Sequence, residues 1–301
     1  DFKWLHSTVD YTRVYYNQSL TEQTDLNVGA QAYKRWSPQM DMTIHFDRMS
    51  QSTGLFQHQG VRNTRFSVGL NYASTNEKYD FKLLFINNKL QHNYNGGLDI
   101  GEDSGLLTNG GRVVEINSPF VQYDVQSTTA EGRHQYMDVL VRQSLILFQP
   151  DSSQNFNGRL LHELQWSNRL DHFFDDNSSG NVDWYGPYYT DSRKIRWRFQ
   201  NRVLSNRFGT GFTVKEKHGL TAGIEHRMYF VDDDISRFNE AELRLWGALK
   251  GPLGNAGHYE GKLQLPVVNN VGNFDLQLSA EPYLLNNDLG LVLRYQLQRT
   301  P

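Results

Sequence analysis

Cysteine is absent from this sequence of 301 residues, so disulfides, thiolate metal sites and a cysteine nucleophile are excluded. Long apolar runs are also absent, and without about 18 consecutive apolar residues no transmembrane helix is predicted. Apolar residues make up only 38% of the chain, whereas globular domains have about 45–50% by a similar count. A soluble protein of this length should bury a large apolar core, so an ordinary soluble fold does not fit this shortage.

Signals for an enzyme, a cofactor or a nucleic-acid partner are missing as well. The formal net charge is −3, which gives no reason to expect nucleic acid. The ten histidines are scattered without the spacing of a metal site, and no G-x-S-x-G motif singles out a serine nucleophile. We therefore predict a non-enzymatic protein with no catalytic residues, no metal and no cofactor.

Alternation of apolar and polar residues is what the sequence has in quantity, and this is the period of a β-strand. The stretch KIRWRFQNRV at 194–203 carries apolar residues on one parity and basic residues on the other. Segments of this kind predict about thirteen strands, near 10–20, 24–35, 39–50, 61–74, 78–91, 134–148, 158–169, 193–205, 218–231, 238–250, 257–266, 273–284 and 288–299. Most are longer than the usual soluble strand of about 5–6 residues, and a tilted strand needs about 9–11 residues to cross a membrane.

The connections between these segments alternate in length. Short links follow the second, fourth, sixth and twelfth strands, whereas long ones follow the third, fifth and seventh. Outer-membrane barrels have short periplasmic turns and longer external loops. We therefore predict an all-β fold, a transmembrane antiparallel up-and-down β-barrel of about 14 strands that forms a single domain over residues 1–301. Its long external loops are expected near 92–133 and 171–192.

Parity also divides the strand residues into two predicted faces, because apolar side chains of a membrane barrel face lipid and polar ones face the lumen. The residues expected to face lipid are Met42, Ile44, Phe66, Val68, Leu70, Ile195, Trp197 and Phe199. Those expected to line the lumen, as a possible pore, are Lys194, Arg196, Arg198, Arg202, Glu225, Arg227, Glu242, Arg244, Glu260, Asp275 and Glu281.

The basic ladder from Lys194 to Arg202 has two interpretations on this scheme. Opposed to the acidic residues of later strands, it would set up a transverse field across an open pore. Alternatively, neighbouring strands would neutralise it through pairs such as Arg202 with Glu225, or Arg244 with Glu260.

Several stretches resemble a known family. These are YTRVYYNQSLTEQ near the start, KRWSPQMDMTIHFDRMSQSTGLFQHQG and the residues that follow it, GLTAGIEHRMYF, and NFDLQLSAEPYLLNNDLGLVL. They are similar to the porins of Bacteroidota outer membranes, and the likeness covers most of the chain. The resemblance implies an outer-membrane β-barrel of a Gram-negative bacterium without enzymatic residues. Single-chain bacterial barrels have even strand numbers, so thirteen recognisable strands indicate a chain shorter than the full barrel.

These observations lead to one main functional hypothesis and two rivals. The main one is a barrel in the cell outer membrane that passes small polar solutes by passive diffusion. The first rival is a non-conducting barrel subunit of a larger outer-membrane assembly, and the second is a soluble β-sandwich or propeller that binds glycans through aromatic side chains. The expected partners are the lipid bilayer and lipopolysaccharide, with other outer-membrane proteins as further candidates.

Overall fold

The computed structural model describes residues 9–18, 25–51, 60–94, 130–148, 156–175, 195–214, 218–233, 235–252, 257–269, 274–284, 289–290 and 293–299. Within these ranges the regular structure consists of β-strands. No helix there is long and apolar enough to cross a membrane.

The strands form one antiparallel sheet in which each strand pairs with the next one along the chain. Their bounds are β1 Tyr11–Gln18, β2 Asp25–Ser37, β3 Met40–Gln51, β4 Val61–Ala73, β5 Tyr79–Tyr94, β6 Ala130–Phe148, β7 Phe156–Asp175, β8 Ile195–Val214, β9 His218–Asp233, β10 Arg237–Pro252, β11 Gly257–Val268, β12 Phe274–Leu284, β13 Leu289–Gly290 and β14 Leu293–Arg299. The predicted all-β, antiparallel, up-and-down arrangement is therefore confirmed.

The strand count differs slightly from the prediction. Twelve long strands follow in order, and the two short segments β13 and β14 both pair with β12, along successive parts of the same edge. Within the described ranges β1 pairs only with β2. Closure of the sheet into a barrel thus stays a prediction.

The two ends of the sheet carry connections of different length. At one end, which we call the short-turn end, strands are joined by residues 38–39, 74–78, 149–155, 215–217, 253–256 and 285–288. At the other, the long-loop end, the joining segments are 19–24, 52–60, 95–129, 176–194, 234–236 and 269–273. Strands β5, β6 and β7 extend into the loops expected at 92–133 and 171–192, and the remainder of those loops lies outside the described residues.

Strand pairing assigns every described strand residue to one of two faces, because directly opposed residues point to the same side. One face, the polar face, holds the odd-numbered residues of β1–β4, β7–β9 and β12, and the even-numbered residues of β5, β6, β10, β14 and β11 as far as Pro266. The opposite side is the apolar face. Register shifts occur near the ends of β2 and β6 and beside Leu243 of β10.

Burial on these faces is the reverse of that in a soluble sheet protein. Among the described residues, the buried polar ones all belong to the polar face, and they are Thr43, Ser67, Asn71, Asp138, Ser144, Asp171, Asp175, Ser205, Glu225 and Glu242. Large exposed side chains of the apolar face include Phe66, Leu160, Phe208, Ile224, Leu245 and Leu278. Because only neighbouring strands contact one another in the described part, the polar side chains bury each other. A sheet that curves towards its polar face produces this pattern.

The apolar residues of the apolar face form a band across the sheet, and this band runs obliquely to the rows of directly opposed residues. In β3 the band is centred near Ile44, and the row of opposed residues through Ile44 reaches Ala241 in β10. The leucines of β10, however, lie further towards the short-turn end, at Leu243, Leu245 and Leu249. The centre of the band therefore shifts along the strand axis from one strand to the next. This shift is typical of barrel strands that cross a flat membrane at a tilt.

A close approach between β8 and β9 accommodates a tryptophan on the polar face. Gly209 and Gly223 lie opposite each other, and Trp246 of β10 lies opposite Gly223. A Cβ atom added to Gly209 would lie 2.5 Å from the Trp246 ring, and one added to Gly223 would lie 1.9 Å from the backbone oxygen of Phe208. The absence of side chains at both positions thus makes room for the backbone and the indole.

Gly223→Ala should therefore destabilise the fold by about 1–3 kcal/mol, the usual cost of overpacking where backbone must move. Gly247→Ala is the matched control in the adjacent strand, since its added Cβ would meet only the Thr221 oxygen at 3.7 Å, and we expect an effect within about 0.5 kcal/mol. Urea unfolding of the refolded protein in detergent measures both. Equal effects of the two substitutions would show that the close approach is unimportant.

Candidate functional site

The most highly charged part of the polar face lies on β8, β9 and β10. Glu225 and Arg227 alternate along β9, Arg207 opposes Glu225 from β8, and from β10 Arg244 opposes Glu225 while Glu242 opposes Arg227. Each acid thus has a base directly across from it, which is the favourable arrangement for charged cross-strand pairs. We call these five residues the acid–base cluster.

The two carboxylates of the acid–base cluster are almost fully enclosed. Each residue is only 2% exposed, yet each has charged partners. Arg227 Nη2 lies 2.6 Å from Glu225 Oε1, and Arg207 Nη2 lies 3.6 Å from Glu225 Oε2. Arg244 Nη2 lies 2.5 Å from Glu242 Oε2. Buried carboxylates need such partners, because an unpaired ion in a low-dielectric site is very costly.

Two hydroxyl groups extend the cluster. The Ser205 hydroxyl donates to Glu225 Oε1 at 2.7 Å. Tyr229 OH accepts hydrogen bonds from Arg227 Nη1 at 3.3 Å and Arg244 Nη2 at 3.2 Å, and it lies 3.4 Å from Glu242 Oε2. Tyr229 therefore joins the two ion pairs into one network and fixes the spacing of their guanidinium groups.

Several buried polar atoms near the cluster have no hydrogen-bond partner in the protein. They are Arg207 Nε, Glu225 Oε2, Arg244 Nε and Trp246 Nε1. The Arg207 guanidinium also lies over the Trp246 ring, 4.6 Å from its centroid. Buried polar atoms in native proteins nearly always bond to protein or ordered water. This side of the sheet is therefore suited to a hydrated environment and poorly suited to a dry core.

Charge neutralisation continues along the polar face beyond the cluster. Arg142 Nη2 of β6 lies 2.6 Å from Glu163 Oε2 of β7. Asp171 is paired with Arg169 at 2.8 Å and with His134 at 2.6 Å. The polar face thus carries acids and bases in close contact. Pairs such as Arg142 with Glu163 join neighbouring strands, but the two predicted pairs are not observed. Arg244 contacts Glu242 of its own strand, and Arg202 lies opposite Asn168 and Phe230.

The residues predicted to line a pore divide between the two faces. Glu225, Arg227, Glu242, Arg244, Glu260 and Asp275 lie on the polar face, and the backbone of Glu281 has the same register. Arg196, Arg198 and Arg202 lie on the apolar face, opposite Phe174, His172 and Asn168 of β7. Lys194 and the side chain of Glu281 lie outside the described residues. The prediction that Arg196, Arg198 and Arg202 share one face with Glu225 was therefore wrong.

The residues predicted to face lipid divide in the same way. Met42, Ile44, Phe66, Val68 and Leu70 lie on the apolar face. Trp197 and Phe199 lie on the polar face, opposite Phe173 and Asp171, and Ile195 has the same register although its side chain is not described. The assignment of these three residues to the face of Val68 was wrong.

The physical reason for both corrections lies within β8. This strand is 20 residues long and pairs with β7 and β9 without a register shift, so one parity keeps one face throughout. Its apolar residues nevertheless change parity midway, from Trp197 and Phe199 to Leu204, Phe208 and Phe212. This change of parity within one uninterrupted strand is visible in the sequence and could have prevented the wrong assignment. Only the apolar residues in the second half of β8 lie on the apolar face.

Sequence patterns alone also missed Arg207, Ser205, Tyr229 and Trp246. Tyr229 has the same parity as Glu225 and Arg227 in β9, and Trp246 has the same parity as Glu242 and Arg244 in β10. Alternation was therefore the signal that could have found these two aromatic residues, and both lie on the polar face. No group of three or more His, Asp or Glu side chains in the described ranges is placed to hold a metal ion.

An antiparallel up-and-down sheet with a charged, enclosed face and an exposed apolar face has the features of the porin-like class of β-strand proteins. Comparison with known families agrees with that class. The chain matches the model of the family described as "Putative porin" over residues 1–301, and it belongs to this family. No curated protein matches the chain.

The acid–base cluster makes a direct prediction about stability. Glu225→Gln should destabilise the fold by about 3–5 kcal/mol, because it leaves Arg207 and Arg227 half-buried without their shared counter-ion. Glu260→Gln is the control on the same face, because its partner Lys262, at 3.0 Å, is as exposed as Glu260 itself. We expect its effect to stay below about 1 kcal/mol. Urea unfolding in detergent tests this, and similar losses for both variants would contradict the structural role of the cluster.

Proposed function

We propose that this protein is an outer-membrane β-barrel through which small polar solutes diffuse passively. The main supporting observation is the reversed burial: within the described ranges the buried polar residues lie on one face, and large apolar side chains are exposed on the other. In water the exposed band would be unfavourable, since contiguous apolar surface of this kind marks an interaction site. In a bilayer the same band contacts hydrocarbon and is stabilised.

Two features of the sheet support strands that cross a membrane at a tilt. The apolar band shifts along successive strands between Ile44 and Leu245, as the tilt of about 35–45° in transmembrane barrels requires. The described strands also leave short connections at one end and the longest ones, 95–129 and 176–194, at the other. On this basis we propose that the short-turn end faces the periplasm and that 92–133 and 171–192 face the exterior.

In the role that we propose, small polar solutes pass through the lumen without any covalent reaction. Ion pairs such as Arg142 with Glu163, and Arg227 with Glu225, cancel much of the field of the polar face. A lumen lined by this face would therefore be polar, hydrated and weakly selective. Membership of the porin family and the likeness to Bacteroidota porins support a Gram-negative outer membrane, with bilayer lipid and lipopolysaccharide as partners.

Conductance of the purified protein in planar bilayers is the experiment that tests this function. Stepwise ionic currents that are nearly equal for small anions and cations are expected. Wild-type protein that inserts fully but carries no current would overturn passive diffusion and favour the non-conducting subunit of a larger outer-membrane assembly. Other outer-membrane proteins would then be its partners.

Lipid exposure of the apolar face is tested by two adjacent residues of β12. Leu278, on the apolar face, is 47% exposed, and Gln277, on the polar face, is exposed as well. Leu278→Arg should cost about 2–4 kcal/mol in lipid vesicles, whereas Gln277→Arg should change the unfolding free energy by no more than about 0.5 kcal/mol. Urea titration of vesicle-embedded protein gives both values. A larger loss for Gln277→Arg would reverse the assignment of the faces.

Ion selectivity provides a second test of the faces. Arg65 is exposed on the polar face, whereas Arg198 lies on the apolar face. Arg65→Glu should shift the reversal potential in a salt gradient towards cations, since it adds negative charge to the proposed lumen. Arg198→Glu makes the same change of charge outside the lumen and should leave the reversal potential unchanged. A shift for Arg198→Glu alone would show that the basic ladder faces the pore after all.

A further inference from the structure

Exposed basic residues gather on the apolar face at the long-loop end. They come from five strands, and we call the set the basic belt: Arg48 of β3, Arg62 of β4, Lys89 of β5, Arg133 of β6, and Arg196, Arg198 and Arg202 of β8. No pattern in the sequence predicts that residues so far apart along the chain are neighbours. Strand pairing brings them together on one side of the sheet.

The belt has a regular geometry. A single row of opposed residues runs Arg62, Gln91, Arg133, His172 and Arg198, from β4 to β8. Its three arginines thus stand on alternate strands, which places their backbones about 10 Å apart. A second row contains Arg48, Thr64 and Lys89. The cations are close enough to act on one ligand and far enough apart for an anionic group to enter between them.

Negative charge is scarce on this face. In the described strands its acidic residues are Glu131, which lies 2.6 Å from Arg133, and Asp232, which lies 3.4 Å from Arg237. The residues directly opposite Arg62 and Lys89 are neutral, in contrast to the polar face, where acids oppose bases. Like charges at this spacing repel one another, so an anion between them would stabilise the sheet.

The basic belt also borders the apolar band. Arg48 follows Phe46 by two residues on the same face, and Arg202 precedes Leu204 by two. Two residues of strand correspond to about 7 Å. If the band spans hydrocarbon, this distance puts the guanidinium groups at the level of lipid headgroups. Arg133 and Arg202 also lie over the Phe174 and Phe230 rings, at 4.8 Å and 5.9 Å, which orients them along the surface.

We propose that the basic belt binds the phosphate groups of an anionic glycolipid in the outer leaflet, with the acyl chains against the apolar band. The proposal rests on the membrane-spanning role given above. Arginine matches phosphate through paired N–H donors, and several cations at the membrane surface act together on an anionic lipid. The adjoining band favours a lipid over a free phosphate ion, because only a lipid gains from both surfaces.

Binding of a bis-phosphorylated glycolipid to the full chain in neutral detergent tests the proposal. The variant replaces one row, Arg62→Gln with Arg133→Gln and Arg198→Gln. The control removes three cations from the polar face, Arg65→Gln with Arg159→Gln and Lys262→Gln. Titrations followed by native mass spectrometry should show affinity falling roughly 100-fold for the row variant, at about fivefold per lost charge, and no change for the control. Melting temperatures without lipid verify that both variants fold.

The other outcomes are equally informative. Equal binding of the dephosphorylated glycolipid, or equal loss in the two triple variants, would overturn the phosphate site. Full displacement of the glycolipid by inorganic phosphate at millimolar concentration would overturn the lipid as its occupant. The conductance experiment is independent of this one. A barrel that carries no current but still binds glycolipid through the row would overturn passive diffusion and support the basic belt as a lipid site. A barrel that conducts but does not bind glycolipid in this way would support passive diffusion and overturn the lipid site.

Discussion

The unshifted hydrogen-bond register of β8 with β7 and β9 is the constraint on which the charge distribution depends. Side chains alternate along a strand, so a slip of one residue would exchange the two faces of β8 completely. The observed register places Arg207 against Glu163 and Glu225, and it places Arg198 against His172. The acid–base cluster and the basic belt therefore both depend on the same set of backbone hydrogen bonds.

Packing on the enclosed face follows from curvature together with charge pairing. Curvature crowds the polar side chains, and crowding would be costly for Glu225 and Glu242 without arginines within contact distance. Glycines allow the crowding where it is tightest, since Gly209 and Gly223 leave space for the Trp246 indole. Hydrogen bonds and ion pairs thus stabilise the polar face, while large apolar side chains such as Phe66, Phe208 and Leu245 are exposed on the apolar face.

Basic residues on the two faces differ in whether carboxylates neutralise them, and the two faces suit different roles. On the polar face, arginines such as Arg142 and Arg227 are neutralised by nearby carboxylates. This suits a hydrated passage with little preference for either sign of charge. On the outer face Arg62 and Lys89 stand opposite neutral residues at the border of the apolar band. Uncompensated charge there suits attraction to anionic lipid, so one sheet combines passage on one side with anchoring on the other.

Alternation and spacing along the chain were enough to predict the all-β antiparallel class, the difference in connection length between the two ends, and the face of strands whose apolar residues keep one parity. Met42, Ile44, Val68 and Leu70 lie on the face of the apolar band because β3 and β4 keep a single apolar parity along most of their length. Alternation, however, only separates the residues of a strand into two sides. It does not indicate which side of that strand lies on the same face as a given side of the neighbouring strand. Strand pairing decides this, because the hydrogen bonds between two strands fix which of their residues lie on the same face. In β8 the pairing places Trp197 and Phe199 on the polar face with the buried carboxylates, and it places Arg196 on the apolar face with the other residues of the basic belt.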